Sequence, residues 1–166
     1  MALVAKNMAN AIISNVAKST DPNDANSKFY KAVCDYVEGN IEIKYAWAGT
    51  NPMGAPDPVT VIQPKLKTSG SLTPSGATDV DSALAAFSAT LNANALGWII
   101  IWPSGFTLTP ATIIPSISIG KSGKDNQQDA MESVCSDIIK GIKKATPSAT
   151  GSHSAYVGTA TFVEIK

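Results

Sequence analysis

Between Asn40 and Trp47 the side chains alternate without interruption. Ile41, Ile43, Tyr45 and Trp47 share one parity, and Glu42, Lys44 and Ala46 take the other. A period of two over this length commits the segment to a strand with one buried and one exposed face. Such a strand needs sheet partners, and its apolar face needs a covering layer.

The covering layer is already encoded upstream. Val4, Met8, Ile12 and Val16 recur every fourth residue, which predicts a helix over 2–17. The stretch Ser19 to Asp24 breaks it. A second helix is predicted over 25–38, capped by Asp24 or Asn26, with Phe29, Val33, Tyr36 and Val37 as its stripe and Gly39 as a left-handed C-cap. Residues 1–39 thus form an N-terminal helical segment.

After Trp47, residues 48–58 hold three prolines and two glycines. This predicts an exposed loop, long enough to serve as a contact loop. Val59 to Thr68 reads as a strand with an edge or bulge at Pro64. Leu96 to Trp102 reads as a buried strand, and Phe106–Thr109 and Thr112–Gly120 as further strands. Residues 145–154 read as a polar loop, and Ala155–Ile165 as a final strand.

Residues 69–91 align with 116–138 through Ser69/Ser116, Ser71/Ser118, Ser75/Ser122, Gly76/Gly123 and Ala83/Ala130. Each copy reads as strand, Ser-Gly turn, cap and amphipathic helix. Thr78 and Asp81 suit a capping box in the first, and Asp125 a cap in the second. The helix faces are Val80, Leu84, Phe87 and Leu91, then Met131, Val134, Ile138 and Ile142. The expected fold is therefore α+β in a single domain over 1–166. It would be a two-layer sandwich, with an antiparallel or mixed sheet, about four helices mainly on one face, and a pseudo-repeated strand–turn–helix unit.

Composition narrows function. Thirteen basic residues balance thirteen acidic ones, and every basic residue is Lys. Without net charge or a guanidinium fork, strong nucleic-acid binding is not expected. Cys34 and Cys135 read as buried thiols. The N-terminus has no signal-peptide pattern, and the longest apolar run, Trp98–Trp102, is too short to span a bilayer. A soluble chain made in a reducing cytoplasm is expected, with no membrane partner.

Catalytic and cofactor motifs fail on spacing. His153 is the single histidine and lies in a Ser/Gly/Thr stretch that reads as a surface loop. Gly120-Lys121-Ser122 lacks the earlier glycine of a phosphate loop, because Pro115 stands there. One His and two distant Cys do not make a zinc site. Asp21/Asp24 and Asp79/Asp81 stand at helix starts, where capping accounts for them. No cofactor or metal is expected. Trp47, Trp98 and Trp102 mix with Ile on shared strand faces, which favours core or subunit contact.

In style the chain resembles the small virion structural proteins of tailed bacteriophages. The likeness lies in the opening Met1-Ala2-Leu3-Val4 helix, the Ile41–Trp47 strand with its 51–58 loop, the strand–Ser-Gly–helix units and the Gly151–Ala160 stretch. The resemblance implies a non-enzymatic subunit of a neck, tail, baseplate or capsid decoration. It would be located in the virion, with copies of itself and other virion proteins as partners. Trp47, Asn51, Pro52, Met53, Pro56, Pro58, Trp98 and Trp102 are the expected interface. The alternative is a carbohydrate- or surface-binding module that stacks ligands on Trp and Tyr. A third reading makes Asp79 and Asp81 a catalytic acid pair.

Overall fold

A computed structural model describes residues 2–68, 80–95, 98–145 and 148–166. The fold is α+β, with four helices, a five-stranded antiparallel sheet and a two-stranded sheet among the described residues. The helices are α1 (Ala5–Val16), α2 (Pro22–Asn40), α3 (Val80–Ala95) and α4 (Gln127–Lys143). The strands are β1 (Ile43–Thr50), β2 (Val61–Ile62), β3 (Lys65–Lys67), β4 (Ile99–Ile101), β5 (Phe106–Thr109), β6 (Ala149–His153) and β7 (Tyr156–Ile165). The large sheet runs β2-β1-β7-β6-β5, and β3 pairs with β4. Every pairing among the described residues is antiparallel.

The second helix begins earlier than its sequence pattern suggests. Asp21, not Asp24 or Asn26, is the cap: its carboxylate accepts from the Asn23 and Asp24 amides at 2.9 and 3.0 Å, with Pro22 at the first helical position. Gly39 lies inside the helix and is not a left-handed cap. The chain leaves the helix into extended backbone at Ile41, whose amide still donates to the Val37 carbonyl.

The alternation in β1 is borne out, with Ile43, Tyr45 and Trp47 buried. They join Met8, Ile12, Val33, Val37, Ile138 and Ile142 in one core. The expected strand over 59–68 is split in two. Its first half pairs with β1 in the large sheet and its second with β4, and Gln63-Pro64 makes the change. The expected strand at 96–102 is shortened to β4. Its even positions, Trp98 and Ile100, are buried as read, but Ile99 and Ile101 are exposed.

Residues 149–153 are not loop but β6, between β5 and β7. Opposite residues of an antiparallel pair share a face, so register defines rows across the sheet. On the core side run Ala149–Ala160–Trp47, Phe106–His153–Tyr156 and Leu108–Gly151–Gly158–Gly49. On the outer side run Thr109–Thr150–Thr159–Ala48, then Thr107–Ser152–Val157–Thr50, and Thr161–Ala46–Val61. Lys44 and Glu164 stand opposite each other at the end of this side, and its residues are exposed apart from the half-buried Lys44, Ser152 and Glu164.

Residues 113–119 are extended, with Ile113, Pro115, Ile117 and Ile119 buried and the residues between them exposed. They form no strand of either sheet; one bridge, Ile99–Thr112, marks the start of the segment. Helix side chains replace the ladder. Asn92 of α3 grips Ile117 from both sides, its amide nitrogen donating to the carbonyl and its oxygen accepting from the N–H, each at 2.8 Å. The Ile119 amide donates to Ser88 Oγ, and the Ser116 amide to the Gly141 carbonyl of α4. Gly141 permits this approach, because a Cβ there would lie 2.5 Å from Ile117 Cα.

The cap of α4 is Asn126 rather than Asp125, its oxygen accepting from the Asp129 amide at 2.8 Å. Ile138 and Ile142 are buried as expected, and Met131 and Val134 pack against the core edge. The turn and cap of the first proposed repeat, residues 69–79, lie outside the described residues, as do the side chains of Val80, Asp81 and Leu84. Phe87 and Leu91 of that copy reach the core, and Phe87 meets Phe29 edge-to-face at 4.6 Å.

Candidate functional site

The end of β1 leads directly into the loop at 51–60. Asn51 organises its start: its side-chain oxygen accepts from the Met53 and Ala55 amides at 3.0 and 2.9 Å, an Asx-type turn. Backbone bonds from Asn51 N to the Ala55 carbonyl, and from Gly54 N to the Asn51 carbonyl, close the turn. A bridge joins Thr50 to Pro56, and the Asp57 amide donates to the Gly49 carbonyl. The expected free loop is a folded one.

Asp57 is its anchor. The residue is buried, and its carboxylate accepts from Trp47 Nε1 at 2.8 Å, from the Val59 amide at 3.0 Å and from His153 Nδ1 at 2.5 Å. Burial pushes this acid up, but the bonds from His153, Val59 and Trp47 outweigh it and hold its pKa below the ordinary carboxylate value. His153 is therefore not a free loop histidine. It ends β6, stacks on Phe106 with ring centroids 4.0 Å apart, and lies beside Tyr156. Phe106 in turn meets Trp47 edge-to-face at 5.5 Å. Trp47 lies flat over Gly49, where a Cβ would come 2.6 Å from its ring. Gly158, the cross-strand partner of Gly49, lets the two backbones close up beneath.

This carboxylate–imidazole pair has the orientation that a general base needs, with Nδ1 held by the acid and Nε2 left over. Catalysis would require a nucleophile on Nε2. Among the described residues no hydroxyl or thiol is hydrogen-bonded to that nitrogen, which lies against Gly105. What the cluster does physically is fasten the loop to β1, β5 and β6 at once.

The loop presents Met53 with 92% of its surface exposed, flanked by exposed Pro52 and Pro56. Pro58 is also exposed, and Asn51 is half-buried within the turn it stabilises. The tryptophans lie elsewhere. Trp98 is fully buried, Trp47 is 4% exposed, and Trp102 is half-buried with Nε1 donating to the Leu108 carbonyl. Trp47 and Trp98 belong to the core, and Trp102 is half-buried against it. Sequence reasoning missed Asp57, whose partner His153 lies 96 positions further along the chain.

The other motifs resolve locally. The Gly120 amide donates to Asp137, so a carboxylate stands where a phosphate loop would receive its anion, and α4 begins only at Gln127. Asp21 is a cap, and Asp24 accepts from the Thr20 amide and from Lys28. Asp79 and the side chain of Asp81 lie outside the described residues. Both cysteines are buried and unpaired, and burial pushes the Cys135 thiol up to about 12 and Cys34 up as well. Among the described residues no group of three His, Cys, Asp or Glu is placed to hold a metal, and no helix is long and apolar enough to cross a membrane.

Comparison with protein-family models, with curated proteins and with solved structures returned no match.

Proposed function

We propose that this chain is a non-enzymatic structural subunit of a bacteriophage particle, at the neck, tail, baseplate or capsid surface. It acts through protein–protein contacts, with the loop at 51–58 as one contact surface, copies of itself and other virion proteins as partners, and neither nucleic acid nor membrane.

The supporting observation is an apolar knob on a fixed mount. Met53 projects fully into solvent, while the Asn51 turn, the Thr50–Pro56 bridge and the buried Asp57 hold the loop beneath it. Ordering a side chain or loop on binding costs about 0.5–1.5 kcal/mol per immobilised group, and a loop already ordered avoids most of that. Methionine is also well suited to a contact tip, because its flexible thioether adapts to irregular pockets. A glycan-binding reading would need exposed rings, and among the tryptophans Trp47 and Trp98 are buried and Trp102 is half-buried against the core.

The test is localisation. An antibody raised against the purified chain is applied to particles of the phage that encodes it and viewed by immunogold electron microscopy. Label at one discrete position on the particle is expected. Unlabelled particles from lysates in which the free chain is abundant would overturn the reading.

A further inference from the structure

We propose that the outer face of the five-stranded sheet is the surface through which two copies of this chain associate, packed face to face about a two-fold axis. This surface is separate from the Met53 loop and does not rest on the virion reading.

The rows Thr109–Thr150–Thr159–Ala48 and Thr107–Ser152–Val157–Thr50, with Thr161–Ala46–Val61 beside them, contain no charged residue, and the charges of the face, Lys44 and Glu164, stand opposite each other at its far end as a pair of opposite sign. The chain as a whole is 16% charged, a share that would place about two charges among these eleven positions. Nothing among the described residues covers the face, and Val157 is 67% and Val61 49% exposed.

The chemistry selects the occupant. A two-fold axis sets a surface against itself, so any charge near the axis meets its own kind. A face with an uncharged centre, and its one base and one acid opposite each other at the end, escapes that penalty. Threonine and serine hydroxyls both donate and accept, so a hydroxyl row can pair with an identical row. Small, β-branched residues also let two sheets approach closely and pack aligned.

The edges point the same way. β2 is two residues long between Pro58 and Pro64, and β5 runs into Pro110. Proline and shortness block strand addition, which leaves the face as the open surface of the sheet. Five strands about 4.8 Å apart, about five residues long, with side-chain margins, give a face on the order of 600–700 Å². That approaches the roughly 800 Å² that each partner of a standard interface contributes.

The test is the mass of the intact chain by light scattering, from about 1 to 200 μM, the range in which interfaces of this size dissociate when weak. Wild type is expected to move toward twice the 17.2 kDa chain mass as concentration rises. Thr159→Lys, at the centre of the face, is expected to stay at chain mass, with at least a tenfold weaker association. Thr159→Ser, which keeps the hydroxyl, is expected to associate as wild type does, and Met53→Lys likewise. Far-ultraviolet circular dichroism confirms that each variant is folded; if Thr159→Lys is not, Val157→Lys takes its place. A wild-type chain that stays at chain mass throughout would overturn the proposal. So would a folded lysine variant that associates normally, or association abolished by Met53→Lys alone.

Discussion

His153 Nδ1 lies 2.5 Å from the buried carboxylate of Asp57, a residue 96 positions earlier in the chain. The pair joins the end of β6 to the floor of the 51–60 loop, and Trp47 shares the same carboxylate oxygen. The loop's shape depends on this one acid. Asp57→Asn keeps the size but removes the charge that binds His153. It is expected to lower the melting temperature and to speed proteolytic cleavage within 51–60 ahead of cleavage elsewhere, which limited proteolysis with mass spectrometry would read.

The same acid sets a pH dependence. Its pKa is lowered in the folded chain from the ordinary 3.8. A depressed acid contributes stability that is present above the unfolded value and is lost as pH falls through the folded one. Urea midpoints should therefore decline below about pH 4. The decline should be shallower in Asp57→Asn than in wild type and not abolished, because other acids whose pKa is lowered on folding, such as Asp24, remain in both. Equal slopes would show that Asp57 is not the linked group.

Gly141 lies against the extended segment at Ile117. Gly141→Ala places a methyl 2.5 Å from Ile117 Cα and 2.6 Å from the Ser116 carbonyl oxygen, both backbone atoms. Overpacking of this kind costs about 1–3 kcal/mol. Urea denaturation should show a loss in that range. A neutral effect would mean that the segment and α4 are not in register as described.

Asn92 replaces a missing β-ladder for Ile117. Asn92→Ala removes both 2.8 Å bonds and leaves a buried N–H and C=O without partners. The expected loss is about 1–3 kcal/mol. Asn92→Asp keeps the acceptor but not the donor, so it should fall between alanine and wild type. Hydrogen exchange at the Ile117 amide should accelerate most in the alanine variant.

The sequence readily revealed whatever is written in local periodicity. Ile43, Tyr45 and Trp47 announce β1 by alternation, and the four-residue spacing of Val4 to Val16 announces α1. β6 was not legible, because Ala-Thr-Gly-Ser-His contains no large apolar residue. Its strand character comes from flanking partners, with glycines on the core side letting backbones close up. Likewise 113–119 has the period of a strand, yet its hydrogen bonds come from helix side chains, which no pattern within the segment discloses. In the loop, the prolines marked exposure correctly for Pro52, Met53 and Pro56. Asp57 looks the same in composition, and its role as an anchor rests on Trp47, Val59 and a histidine 96 residues away. The tryptophans are ambiguous in sequence between core and contact; Trp47, against Phe106, and Trp98 are buried, and Trp102, against Tyr45, is half-buried.

The most direct test of the structural-subunit proposal is the copy number of the chain in assembled particles, counted by quantitative mass spectrometry. Phage lacking the gene would be supplied with wild-type chain or with Met53→Lys. Met53 is fully exposed and makes no core contact, so its substitution should change stability by no more than about 0.5 kcal/mol. Wild type is expected at a fixed integer copy number per particle, and the variant at a tenth of it or less. Equal incorporation of both chains would contradict the role given to the loop, and absence of the wild-type chain from purified particles would contradict the function itself.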